Sequence, residues 1–250
     1  MTNIIVHDDG PVRIIRMNRP EKKNALTQDM YAEIIDTLDR SSADDAVRCV
    51  VITGTGGAFT AGNDLANFRD RSADQENASP GGGALLLRAL LRNTKPLIAA
   101  VDGVAFGIGM TLMFHCDYVV ATEAAKFATP FVSLGLVPEG GSTLLMPLAI
   151  GHQKAFEMLV LGRRMDGKAV FDAGVVNKLA EAGCAEADAV AIAHEIAALP
   201  AKSVALTREM LRLPVEQLAA RIDLELEHFN AQMRSPEAAA AFARFLAPKN

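Results

Sequence analysis

The sequence predicts an α/β fold, because short apolar strands alternate along it with segments of helical periodicity. The chain has 250 residues, of which 50% are hydrophobic and 22% charged, so it is large and apolar enough to bury one sizeable core. Four β-branched segments that end at turn residues are typical of buried strands: Val12–Met17, 47–53, Leu97–Val101 and 118–121.

A helix is predicted between the first two of these strands. Met30, Ile34 and Leu38 recur at helical spacing, and Thr27 stands before them in the position of a helix N-cap. Asp29 falls in the first turn, where the helix dipole favours a negative charge. Strand, helix and strand in this order indicate crossover connections.

Beyond about residue 185 only helices are predicted. Apolar side chains recur at helical spacing at Leu218, Ile222, Leu226 and Phe229. Three prolines divide this part of the chain into separate helices: Pro200, Pro214 and Pro236. An apolar helical tail that follows a closed core needs a surface to cover, and a second subunit is one candidate.

Charge and composition exclude several classes of function. The net charge of −5 offers no overall positive field for nucleic acid. The N-terminus lacks the features of a signal peptide and no apolar run reaches the length of a membrane span, so we expect a cytoplasmic protein that binds neither nucleic acid nor membrane. Cys49, Cys116 and Cys184 lie in apolar sequence and are expected to be reduced thiols of the core.

No motif for a metal or a cofactor is found. The glycines at 54–57 are not followed by the Gly-Lys-Ser/Thr of a P-loop, and those at 103–109 do not have the dinucleotide spacing. No two histidines have the spacing of metal ligands, and we interpret His115, Cys116 and Asp117 as packing and capping residues. We therefore predict no metal and no cofactor.

Residues 54–83 are rich in glycine at both ends and polar in the middle. This composition predicts a long loop, of the kind that forms lids or binding sites.

Two glycine-rich turns follow predicted strands. FTAGNDL at 59–65 comes after the strand at 47–53, and GVAFGIG at 103–109 comes after Leu97–Val101. Where a helix starts directly after such a turn, unpaired backbone N–H groups point at any bound anion. Two such donors make an oxyanion hole; the alternative is that the turns merely join strands to helices.

Four blocks occur in the order found in the crotonase superfamily: RPEKKNAL at 19–26, FTAGNDL at 59–65, KPLIAAVDGVAFGIG at 95–109 and CD at 116–117. From Val12 to about Leu179 the chain resembles the enoyl-CoA hydratase/isomerase proteins, whereas its C-terminal helices match only in kind. The resemblance implies a spiral of repeated strand-strand-helix units in residues 1–195, which binds an acyl-CoA and carries out catalysis. It also implies a helical oligomerisation region in 196–250 and a homotrimer or dimer of trimers.

The resemblance also implies how the substrate binds. The N–H groups of Asn63 and Ile108 occupy the two oxyanion-hole positions of the family and would hold the thioester oxygen, with coenzyme A itself being part of the substrate. Positions that match the coenzyme A path are Lys22, Lys23, Ala25, Ala61 and Leu65. The two lysines can equally belong to a solvated turn, because exposed lysines need no partner. Asp64 is expected to fix its turn as an Asx-type cap.

Departures from the family pattern favour isomerisation over hydration. Hydratases of the family carry two glutamates that handle the water, at positions that read Thr111 and Phe131 here, and neither side chain is a useful base. Glu139, within TPFVSLGLVPEGGS at 129–142, resembles the catalytic glutamate of peroxisomal-type Δ3,Δ2-enoyl-CoA isomerases. One base is sufficient to take a proton from C2 and return it at C4. Alternatively, Glu139 caps the helix that starts there.

The resemblance leaves further alternatives open. Phe68, Met110, Thr111 and Phe131 are candidates to line the acyl pocket, although Met and Phe in apolar stretches are often plain core. After isomerase, the candidate functions are a hydratase and a non-catalytic acyl-CoA binder or RNA-binding relative. A basic patch for RNA would consist of Arg88, Arg92 and Lys95, which a solvated helix face explains more simply.

Overall fold

A computed structural model describes residues 2–64 and 81–246. Most of the loop predicted at 54–83, including Leu65 and Phe68, lies outside the described residues. The strands are β1 (Ile4–Asp9), β2 (Val12–Met17), β3 (Cys49–Gly54), β4 (Leu97–Val101), β5 (Val104–Phe106), β6 (Tyr118–Thr122), β7 (Lys126–Ala128), β8 (Met165–Asp166) and β9 (Lys178–Ala180). The α-helices are α1 (Gln28–Ala43), α2 (Gly82–Arg92), α3 (Ile108–Thr111), α4 (Ser142–Ile150), α5 (His152–Leu159), α6 (Gly167–Asp172), α7 (Ala185–Ala198), α8 (Ala201–Leu211), α9 (Val215–Met233) and α10 (Pro236–Leu246).

The strands form two sheets. The larger has the order β1-β2-β3-β4-β6-β9, in which β1 is antiparallel to β2 and the other neighbours are parallel. The smaller has the order β5-β7-β8. Successive units β4-β5-α3 and β6-β7-α4 each place one strand in the large sheet and the next in the small sheet. The predicted α/β fold of strand-strand-helix units is confirmed.

The central strands are buried on both faces, which explains their continuous apolar sequences. Val50 and Ile52 of β3 belong to the core that includes α1 and α2, whereas Cys49 and Val51 face the opposite side. That second face packs on alanines of α7 spaced four residues apart: Ala185, Ala189 and Ala193. Small side chains in this row allow the helix to approach the sheet closely.

Several local predictions are confirmed. The Thr27 hydroxyl accepts a hydrogen bond from the Met30 N–H, so it is the N-cap of α1. Pro200 and Pro214 directly precede α8 and α9, and Pro236 is the first residue of α10. Proline suits these positions, because a first-turn residue has no intrahelical partner for its N–H.

Other local predictions are wrong. The strand predicted from residue 47 begins at Cys49, because the ladder with β2 starts opposite Val12 and Val47 still belongs to the turn after α1. The loop predicted to reach residue 83 ends earlier, at a helix start where the Gly82 N–H donates to the Gln28 side chain. Cys184 is exposed at the start of α7 rather than buried in the core.

In the part of the chain that the structure describes, no single helix is both long and apolar enough to cross a membrane. Together α7 and α8 reach that length and composition, but they are bent by 111° at the break between them.

Gly103, between β4 and β5, is expected to tolerate no side chain. Its φ is +67° and a Cβ would lie 1.8 Å from the Gly57 carbonyl oxygen, whereas Gly174, with φ +85°, has nothing within 4 Å of its Cβ position. Gly103→Ala should therefore lower the free energy of unfolding by about 3 kcal/mol or more, and Gly174→Ala by only about 1–2 kcal/mol for the left-handed backbone. Urea unfolding at fixed protein concentration measures both. Equal losses would contradict a steric role for Gly103.

Candidate active site

The first glycine-rich turn lies along β5. Thr60 N–H donates to the Val104 carbonyl and Phe106 N–H donates to the Thr60 carbonyl, so Thr60 forms an isolated parallel bridge with Ala105 of β5. Gly62 permits this approach, because a Cβ there would lie 2.8 Å from the Phe106 carbonyl oxygen. The two glycine-rich turns are thereby held next to each other.

The RPEKKNAL segment is hydrogen-bonded to the first glycine-rich turn and to the residues before it. The Asn24 side chain is buried and donates to the carbonyls of Thr55 and Ala58, and the Thr60 hydroxyl donates to the Asn24 carbonyl. Arg19 donates to the Asp64 carboxylate at 2.6 Å. Asp64 thus forms an ion pair with Arg19, whereas its predicted Asx-type cap stays a prediction.

Asn63 and Ile108 each present a backbone N–H without a partner among the described residues. Beside Asn63, the Leu26 N–H donates to Gly62 and the Asp64 N–H donates to Leu26, so the intervening Asn63 N–H points the other way. Ile108 is the first residue of α3, where an N–H has no intrahelical acceptor.

The two residues approach each other around the start of α2. A Cβ on Gly83 would lie 3.6 Å from Ile108 Cδ1, 3.9 Å from Asn63 Oδ1 and 3.7 Å from the Tyr31 hydroxyl. Tyr31 is fully buried and donates its hydroxyl proton to Asn63 Oδ1 at 2.7 Å. This bond fixes the Asn63 side chain, and with it the residue that carries the first candidate donor.

Glu139 is buried and contacts Thr111, the last residue of the helix that begins at Ile108. The Thr111 hydroxyl, in α3, donates to Glu139 Oε1 at 2.8 Å, and the glutamate is only 5% exposed. Burial raises the pKa of Glu139 to about 7, and the nearby Glu225 carboxylate adds to the rise while the Thr111 hydrogen bond opposes it. Such a carboxyl can both accept and return a proton near neutral pH.

Other groups hold the turn that carries Glu139. His115 Nε2 lies 2.7 Å from the Gly140 carbonyl oxygen, and burial lowers the pKa of His115 to about 4, so the neutral ring donates this bond. Glu225 of α9 accepts hydrogen bonds from the N–H groups of Gly141 and Thr143 at the start of α4. Glu225, and not the Glu139 side chain, is therefore the carboxylate that caps this helix.

The remaining predicted site residues occupy different environments. Lys22 and Lys23 are exposed, and Ala25 and Ala61 are half-buried. The Ala61 N–H donates to the Lys23 carbonyl, so this part of the predicted coenzyme A path is contiguous. Leu65 lies outside the described residues. The role of these positions in binding stays a prediction.

The residues predicted to line the acyl pocket pack against different parts of the structure. Met110 is fully buried in the main core, and Phe131 packs edge-on against Phe229 at 6.5 Å between ring centroids. Thr111 contacts Glu139 directly, and Phe68 lies outside the described residues. Their contribution to an acyl pocket stays a prediction.

Three residues of this site are missing from the sequence prediction: Tyr31, Glu225 and Asn24. Tyr31 lies 32 residues from Asn63, and Glu225 lies more than 80 residues from the turn it caps, so no local pattern connects them. Asn24 lies within the RPEKKNAL block, and membership of this block was the sequence feature that could have indicated its role. Among the residues that the structure describes, no group of three His, Cys, Asp or Glu could hold a metal ion.

Comparison with known proteins gives consistent matches. A family model described as enoyl-CoA hydratase/isomerase matches residues 8–248. Enoyl-CoA delta isomerase 2 of Rattus norvegicus is 40% identical over 70% of this chain and 46% of its own length. The 1,2-epoxyphenylacetyl-CoA isomerase of Escherichia coli K12 is 30% identical over 100% of this chain and 97% of its own.

A solved structure, that of Pseudomonas aeruginosa OdaA, has a TM-score of 0.94 and 36% identity, and the match covers 99% of this chain and 100% of that one. The chain thus spans about half the length of the rat relative and nearly all of the other two proteins.

Thr111→Val should raise the pKa of Glu139 above its value of about 7. Valine keeps the shape and removes the donor that favours the charged carboxylate, so a rise of about one unit is expected. Infrared titration of the protonated carboxyl band, assigned by its absence in Glu139→Gln, measures the midpoint. Thr53→Val, which deletes a buried hydroxyl bonded to the Ala100 carbonyl, is the matched control and should leave it unchanged. An unmoved midpoint in Thr111→Val would contradict the assignment of this bond.

Proposed function

This chain belongs to the enoyl-CoA hydratase/isomerase family of acyl-CoA enzymes, as its resemblance predicted, and on that premise we propose that it is a Δ3,Δ2-enoyl-CoA isomerase. The observation that carries the proposal is the buried Glu139 carboxyl, with a pKa of about 7, held by Thr111 beside the helix that begins at Ile108.

In the proposed reaction a single base moves one proton. Glu139 removes a proton from C2 of a 3-enoyl-CoA, and the electrons of the C–H bond form an enolate on the thioester. The double bond then shifts to C2–C3 as protonated Glu139 returns the proton to C4. Atoms and electrons balance without a co-reactant.

The N–H groups of Asn63 and Ile108 stabilise the enolate in this proposal. Both lack a partner among the described residues, and a thioester oxygen would complete their hydrogen bonding. By analogy with acyl transfer, a donor of this type is worth roughly 2.7–4 kcal/mol of barrier. The thioester would enter past Lys22, Lys23, Ala25 and Ala61.

The same geometry argues against water addition. A hydratase needs a second acid-base group at the position of Thr111 or Phe131, but the Thr111 hydroxyl is already engaged with Glu139 and Phe131 packs on Phe229. RNA binding also gains no support, since Arg88 pairs with Asp223 and Arg92 pairs with Asp39. The cytoplasmic location and the absence of a cofactor stay predictions.

We further propose a homotrimer, or a dimer of trimers, assembled through the C-terminal helices. Large apolar side chains are exposed along α8 and at the start of α9: Leu206, Met210, Leu211 and Val215. Several large apolar side chains exposed within a short segment favour an interface there.

The assembly predicts a mass of three or six times the 26.6 kDa of one chain in sedimentation equilibrium. Met210→Asp and Leu211→Asp together should shift the population toward monomers, because two charges would be buried at the interface. Lys202→Asp, a charge change near the start of the same helix, tests whether charge alone is responsible and should leave the mass unchanged. A monomeric wild-type protein would contradict the proposal.

Glu139→Gln should abolish isomerisation of a 3-enoyl-CoA, with a loss of at least about 10³-fold in kcat. Glutamine keeps the shape and the contact with Thr111 but accepts no proton. Conjugation of the double bond is followed by absorbance, with crotonyl-CoA hydration measured in parallel. Glu195→Gln, a change to an exposed glutamate of α7, is the control. Isomerisation at the wild-type rate in Glu139→Gln would refute Glu139 as the base, and crotonyl-CoA hydration with no isomerisation would favour a hydratase.

A further inference from the structure

The carboxylate of Glu225 lies on the C-terminal helix α9 but contacts the turn that carries Glu139. It is 4% exposed, and its Oε2 accepts a hydrogen bond of 2.6 Å from the Gly141 N–H. Its Oε1 accepts from both the N–H and the hydroxyl of Thr143. Three donors therefore hold one buried carboxylate at a point two residues from Glu139.

The turn needs such an external support. Gly140 and Gly141 both have positive φ, at +81° and +70°, a conformation that uses the freedom of glycine. A Cβ on Gly140 would lie 3.0 Å from Thr111, and one on Gly141 would lie 2.6 Å from the Leu218 side chain of α9. The turn is thus packed between α3 on one side and α9 on the other.

We propose that Glu225 is a positioning residue for Glu139: it holds the 139–141 turn through Gly141 and Thr143, and it places a second negative charge beside the base. This proposal rests on the proposed isomerase function. It assigns part of the active site to the helical region at 196–250, for which the resemblance implied oligomerisation alone.

Other titratable groups near the turn do not account for such a charge. Burial and the charge of Glu139 raise the pKa of Tyr31 well above its ordinary range, and burial lowers the pKa of His115 to about 4, so both are neutral at neutral pH. Arg221 of α9 approaches the Thr143 hydroxyl and partly offsets the Glu225 charge. Repulsion by the Glu225 carboxylate raises the pKa of Glu139. Removal of the Glu225 charge should therefore lower the pKa of Glu139.

Glu225→Gln tests both parts of the proposal. Glutamine keeps the length of the side chain but loses the charge and one acceptor oxygen. We expect the infrared titration midpoint of Glu139 and the acid limb of the kcat/KM profile to move together to lower pH by about half a unit to one unit. We also expect kcat to fall roughly tenfold with little change in KM, because the base is less firmly positioned.

The control is Asp223→Asn, which removes a carboxylate from the same helix at an exposed position paired with Arg88. It should leave the midpoint and kcat unchanged. Thr143→Val is a second test that keeps the Glu225 charge and removes one of its donors, and it should lower kcat severalfold at unchanged KM. If Glu225→Gln fails to fold, as judged by circular dichroism, Thr143→Val decides.

Wild-type kcat and a wild-type Glu139 midpoint in the folded variants would overturn the proposal. Failure of the proposed function is a distinct result: the wild-type protein would then show no isomerisation that depends on Glu139. In that case the infrared midpoint of Glu139 in wild type and Glu225→Gln still decides whether Glu225 acts on Glu139.

Discussion

The site depends on one backbone contact, the bridge between Thr60 and β5. Two hydrogen bonds between Thr60 and the β5 strand place the first glycine-rich turn beside the second, so that Asn63 and Ile108 come together. Side chains at Gly62 or Gly103 would separate the two segments, since their Cβ positions lie 2.8 Å and 1.8 Å from carbonyl oxygens. Gly62 and Gly103 are thus needed for close approach of backbone to backbone.

The pKa of Glu139 is set by burial and by the groups around it. Glu139 has a hydroxyl as its hydrogen-bond donor rather than a cation, so desolvation dominates and the pKa of the carboxyl rises to about 7. A hydratase glutamate at position 111 would occupy the place of this hydroxyl. In the proposed isomerase, the threonine at this position supplies no acid-base group of its own, and its hydrogen bond lowers the pKa of Glu139.

Core and C-terminal helices cooperate in building this site. Leu218, Ile222 and Glu225 of α9 surround the start of α4, and Phe229 packs on Phe131 in the preceding loop. The division of the chain at residue 195 stays a prediction. Glu225 and Phe229, which follow it, contact Gly141 and Phe131, which precede it.

The roles of Asn63, Ile108 and Glu139 came from the resemblance to the family and stay predictions. Sequence patterns alone predicted the alternation of strands and helices, the N-cap at Thr27, the breaks at the prolines and the two glycine-rich turns. These features are local, because periodicity, capping and turn chemistry act over a few residues. The helical start at Gly82 depends on Gln28, a neighbour distant in the chain. Tertiary structure alone decided the bond of Tyr31 to Asn63, the capping of α4 by Glu225 rather than Glu139, and the degree of burial that raises the Glu139 pKa. Each of these requires residues far apart in sequence to be brought together, and no local propensity encodes that.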